Sequence, residues 1–229
     1  MRGILASFQD AALAGAFQPG VALTGARLTP GYYPVTPPGC YPRTNCGAPL
    51  QPTDERFREV YNTVAAYVED RYGIPVVISD VVNPFTGDLD GSEIHVDYEN
   101  SIEEAVFILV HLFGHTVQWN MSDYNRKIGY EVQQNPSVEK LDELERYEKE
   151  ACSYSLQLFH DAGVHDLDQW TSDYAACDFA FLRTFYSTGK KSPFRSFWKD
   201  AQPLLKPLPI PDFVPTKWIS RWQGIVVGE

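Results

Sequence analysis

The sequence predicts an α+β fold in which helices dominate, and three observations carry that reading. Helical patterns fill four windows, two short runs have strand character, and prolines with glycines crowd both ends of the chain. The 229 residues suffice for one domain with a buried core and an appended arm. We divide them into an N-terminal segment and proline/glycine-rich arm (1–53), a main domain (54–190) and an irregular C-terminal tail packing on it (191–229).

Between residues 18 and 53, Pro19–Gly20, Pro30–Gly31 and the run Pro37, Pro38, Gly39 forbid long helices and central strands, because proline removes a donor and fixes φ. A helix follows over Asp54–Tyr72, where Phe57, Val60, Tyr61, Val64, Ala65 and Val68 recur at helical spacing and Gly73 suits a left-handed cap. Ile74–Val82 is β-branched and reads as a strand. Glu93–Tyr98 alternates apolar with polar residues and reads as an edge strand, joined to the first by an acidic, glycine-bearing turn. Ser101 with Glu104 forms a capping box that opens a helix over Ile102–Trp119. From Ala105 to Phe113 only His111 is polar, so this helix should be buried on most sides. A polar stretch through Asn135 and Pro136 leads to a helix over Ser137–His160, with the stripe Leu141, Leu144, Tyr147, Ala151, Tyr154 and Leu158. A last helix spans Asp166–Thr188, and beyond Pro193 no regular pattern appears until Trp218 and Ile219.

Several function classes are excluded. The net charge is −11 and the longest basic cluster is Lys190–Lys191, so nothing matches a phosphate backbone and nucleic acid is not expected as a partner. No run approaches the roughly 20 apolar residues that span a bilayer. The N-terminus, broken by Gln9 and Asp10, is unlike a secretory signal, so the chain reads as soluble and cytoplasmic. Four cysteines are too few for a disulfide scaffold. Cys40 and Cys46 could pair across their loop, but a lone C-x5-C is a weak signal.

His111 and His115 stand four apart, so on a helix both imidazoles can grip one ion from one face. Two satisfied core histidines would share this spacing, but two further features favour metal. Gly114 removes a side chain beside the pair, at a cost of about 1 kcal/mol relative to alanine in a helix, and lets another element approach. Glu148 falls within the apolar stripe of the later helix, where a buried carboxylate needs a cation. Glu150 lies about 200° further round at roughly 100° per residue, and stands as alternate ligand or orienting partner. Either acid could instead be a solvated helix carboxylate beside Asp142, Glu143 and Glu145.

The run His111, Leu112, Phe113, Gly114, His115, followed by Glu148, Lys149, Glu150, Ala151, resembles the gluzincin branch of the zincin metallopeptidases, closest to ImmA/IrrE-type peptidases with their HExxH and ExEA motifs. The resemblance covers residues 54–160. It implies a minimal zincin-like domain and names His111, His115 and Glu148 as ligands of one divalent transition metal. Two departures stand out: Leu112 replaces the glutamate that serves as general base, and Cys152 replaces the Asn or Asp four residues after the ligand Glu. General acid–base help is worth roughly 10²–10⁴-fold, so peptide hydrolysis of the ordinary kind should be crippled.

Three readings follow. Two histidines and a carboxylate match the facial triad of non-haem Fe(II) oxygenases, and the apolar Leu112 suits a dry pocket. Alternatively the ion is Zn(II), with Glu150 or Glu131 as base and Tyr124, Tyr130 or Tyr154 stabilising an oxyanion. In the third the scaffold is catalytically inactive and binds a peptide by strand addition. We favour an oxidoreductase acting on a small molecule or peptide, with Glu150 and Tyr154 as the candidate catalytic groups. Gln118, one turn beyond His115, could fix a ligand tautomer. His95 is expected to be exposed on its strand, His160 and His165 to be surface residues, and Trp198, Trp218 and Trp222 to pack the tail. Arg195 and Arg221 could hold a substrate carboxylate.

Overall fold

The structure, a computed structural model, describes residues 51–81, 85–130, 136–190 and 192–218, and Tyr130 by its backbone alone. Cys40, Cys46, Glu131, Arg221 and Trp222 lie outside them. The class is α+β and mainly helical: α1 (Asp54–Tyr72), β1 (Val76–Ser79), β2 (Gly87–Leu89), β3 (Ile94–Asp97), α2 (Ile102–Met121), α3 (Asp123–Tyr130), α4 (Val138–Asp161) and α5 (Asp168–Thr188), followed by a 3-10 turn at Phe194–Phe197.

The helices begin and end where local chemistry dictates. Thr53 caps α1 by accepting from the Arg56 amide, and Gly73 closes it at φ +65°, with its N–H donating to Glu69. Ser101 and Glu104 form the predicted capping box of α2. Ser137 caps α4. Every residue of α2 from Ala105 to Trp119 is buried, the consequence of an apolar run on all sides.

The sheet corrects the predicted strand pair. Glu93–Tyr98 was expected at an edge, but β3 is the middle strand of the order β1-β3-β2. β1 runs parallel to it, with Val76 opposite Ile94, and β2 runs antiparallel, with Leu89 opposite Ile94. The acidic turn itself supplies β2: Gly and Asp are poor strand residues, so no propensity marks it, and only tertiary pairing extends it. α3 also falls where a polar stretch was expected. Ser122 ends α2 and starts α3 at once, accepting from the Asn125 amide on its hydroxyl and from the Arg126 amide on its carbonyl.

α2 is the spine, with α1 and the sheet on some sides and α4 on another; α5 packs on α4. The tail lies across these elements as an extended strap. The Leu208 amide donates to the Ser153 carbonyl, Phe213 stacks on Tyr72 at 5.6 Å, and the Trp218 amide donates to the Asp90 carbonyl. Among the described residues no helix is long and apolar enough to cross a membrane.

Candidate metal centre

The meeting of α2 with α4 is set by Gly114. A Cβ there would stand 2.2 Å from the Ala151 carbonyl oxygen, so only glycine permits the crossing. Ser155 seals it by donating to the Val110 carbonyl at 2.8 Å across the interface. His115 adjoins the contact on α2 and Glu148 lies one turn before Ala151 on α4, so the crossing carries the three side chains together.

His111 Nε2 lies 3.0 Å from His115 Nε2, and Glu148 Oε2 lies 3.2 Å from each. All three residues are about 1% exposed. Three atoms that each carry a lone pair, packed this closely in a buried site, repel one another unless a cation or a proton sits between them. Ligands roughly 2.1 Å from one ion stand about 3.0 Å apart at right angles and about 3.4 Å apart in a tetrahedron. His111, His115 and Glu148 can therefore hold a metal ion.

The surroundings orient both rings. Gln118 Nε2 donates to the Tyr147 carbonyl at 2.9 Å and to Glu150 Oε2 at 2.6 Å, which leaves its Oε1 to accept from His115 Nδ1 at 2.8 Å. With Nδ1 carrying a proton, the Nε2 of a neutral ring presents its lone pair toward Glu148, the tautomer a ligand needs. Tyr147 stacks on the His115 ring at 4.7 Å and Phe107 on the His111 ring at 5.2 Å. Cys152 Sγ lies 3.5 Å from His111 Nδ1.

Where a proton on the rings rather than an ion bridges the cluster, burial raises the Glu148 carboxyl, but the charge of His115 and hydrogen bonds from both rings outweigh it and bring the pKa down to about 2. Burial, then repulsion from His115, lowers His111. Burial, with Asp178 and Glu148 adding to it, raises the Cys152 thiol well above its usual value.

The other expected residues are placed as follows. Glu150 faces away from the triad and accepts from Gln118 and from Asn125 Nδ2 at 3.1 Å, so it reaches His115 only through Gln118. Tyr154 is half-buried, and no hydrogen bond among the described residues joins it to the triad. Tyr124 is exposed on α3 and donates to Glu143. Leu112 is buried under β2, against the space where a side chain on Gly87 would stand. His95 is buried, not exposed as its strand position suggested, because β2 flanks it; its Nδ1 lies 3.1 Å from Ser79 Oγ. Arg195 pairs with Glu103 and covers Trp198. His160 bonds Asp168 at 2.9 Å.

One acid was missed. Asp178 on α5 is 1% exposed, and its Oδ1 has no hydrogen-bond partner among the described residues. Burial and then the charge of Glu148 push its carboxyl well above the usual range. The signal was present: Asp178 stands four residues from both Tyr174 and Leu182 in a buried stripe, the argument that singled out Glu148.

No family model matches this chain, and no curated protein or solved structure does either.

Proposed function

We propose that this protein is a metal-dependent oxidoreductase in which His111, His115 and Glu148 hold one divalent ion, Fe(II) in preference to Zn(II), on a scaffold resembling a gluzincin with its hydrolytic base removed. An Fe(II) ion on such a facial triad keeps positions open for small ligands, the arrangement of the non-haem oxygenases. The observation that carries the reading is the replacement of the base. Leu112 is packed beneath Gly87, and Glu150, the acid best able to take over, is bound to Gln118 and Asn125. A hydrolase would need a carboxylate free to move a proton between water and leaving group.

The chain's own residues then have defined tasks. Glu148 brings negative charge to the ion, and Gln118, itself fixed by Glu150, holds the His115 ring. Phe107 and Tyr147 confine the two rings, and Leu112 and Phe113 keep bulk water from the helix face. The substrate is a small molecule or a peptide.

The test is metal content followed by gas uptake. Protein loaded anaerobically with Fe(II) should retain one equivalent, and His111→Ala, His115→Ala and Glu148→Ala should each lose it. Dioxygen uptake should appear with iron and not with zinc. Tight zinc binding with slow peptide cleavage and no oxygen uptake would replace this reading with a hydrolytic one. Absence of any bound ion after reconstitution would leave a binding scaffold.

A further inference from the structure

A cavity of about 20 Å³ lies between α4 and α5, lined on one helix by Leu141, Leu144, Glu145 and Glu148 and on the other by Phe179, Leu182, Arg183 and Tyr186. Its two ends differ. At one is Glu148, whose Oε1, turned from the histidines, is buried without a hydrogen-bond partner. At the other is the surface, where Arg183 Nη1 bridges Asp142 at 2.8 Å and Glu145 at 3.0 Å. The rest of the lining is Leu141, Leu144, Phe179, Leu182 and the ring of Tyr186. About 10–15 Å³ is enough for one water, so a cavity of about 20 Å³ admits a molecule of one or two heavy atoms and no side chain of a peptide.

We infer that this α4–α5 passage is the entry and holding site for a small neutral molecule, dioxygen, on its way to the Glu148 side of the triad, with the Arg183 ion pairs closing its outer end. Apolar walls favour an uncharged molecule, because an anion would meet Glu145 and Glu148 and leave its hydration shell at a cost of several kcal/mol. The inference rests on the oxidative reading above and adds to it a route, a size limit and a polarity limit. It also separates two entrances: the larger substrate must reach the ion from another side.

Two measurements test it. The first uses leucine-methyl-labelled, zinc-loaded full-length protein under dioxygen pressure, which broadens the NMR signals of methyl groups that meet the gas. The methyls of Leu144 and Leu182 should broaden several-fold more than those of Leu109 and Leu158, buried leucines outside the cavity, and far more under dioxygen than with a water-soluble paramagnetic chelate that reports plain solvent exposure. Equal broadening at all four overturns the inference, and this arm needs no variant. The second follows nitric oxide binding to the Fe(II)-loaded protein by stopped-flow absorbance. Leu182→Trp, which fills the passage, should slow binding by about tenfold or more, and Leu182→Ala should speed it, with metal content unchanged in both. Identical rates in the three proteins, each holding one equivalent of iron, overturn the passage while leaving the oxidative reading intact. Failure of wild type to hold iron instead sinks the oxidative reading, and it appears in the metal analysis before any gas is added.

Discussion

His115 shows how much of a candidate metal site rests on groups outside the ligand set. Its proton position follows from Gln118, whose amide is fixed by the Tyr147 carbonyl and Glu150. Gln118→Leu should therefore weaken metal binding about 10–100-fold, as loss of a ligand-orienting partner does, in a competition titration with a chromophoric chelator. Glu150→Gln keeps an oxygen that can accept from Gln118, so its affinity should stay within about threefold of wild type; a larger loss would mean that the charge of Glu150 matters directly. Asp178 belongs to the same scale. Its pKa is raised in the folded state, so between the unfolded value near 3.9 and that raised value the folded chain binds the extra proton. Its contribution to stability is thus favourable at low pH and lost as pH rises through this window. In metal-free protein, urea titrations should show Asp178→Asn gaining on wild type as pH increases from 4 to 8; a difference independent of pH would refute the assignment.

At the scale of elements, the site is the consequence of one helix crossing. α2 and α4 approach backbone to backbone at Gly114 and Ala151, and the ligands lie within one turn of that point. Gly114→Ala should cost about 1–3 kcal/mol by overpacking and, unlike a remote core change, should also reduce metal affinity by parting the helices. Thermal unfolding with and without metal separates the two effects. The elements also show where sequence reading reached its limit. α1, α2 and α4 were legible because caps and apolar stripes are local signals. β2 and α3 were not: β2 is three residues of Gly, Asp and Leu held by pairing with β3, and α3 is a single short helix in a polar stretch.

The whole molecule is held together by a strap that no periodicity announces. Residues 202–218 run without regular secondary structure, and the amides of Gln202, Leu205, Leu208 and Thr216 donate to Asp173, Ser172, Ser153 and Asn120 on other elements. Lys217 reaches Asp90, a fully buried carboxylate, at 2.9 Å, and Gly91 at φ +100° leaves room for the Thr216 carbonyl. Phe213→Ala removes the stack on Tyr72 and the contact with Phe113, and should cost about 1–3 kcal/mol, less than for a fully buried ring. For a chain of this size that is about 2–4 °C in Tm per kcal/mol, readable by calorimetry.

By itself the sequence determined the mainly helical α+β class, the caps of the long helices and the residues able to serve as ligands, because each is a matter of residue type at fixed spacing along one element. His111 and His115 share a helix face by geometry alone, and Glu148 sits in an apolar stripe that demands a partner. The tertiary structure decided the rest. It turned Glu148 rather than Glu150 toward the histidines, placed β3 inside the sheet, buried Asp178 near Glu148 and opened a narrow passage between α4 and α5. These depend on how close two helices come and at what rotation, and that is set by atoms far apart in the chain.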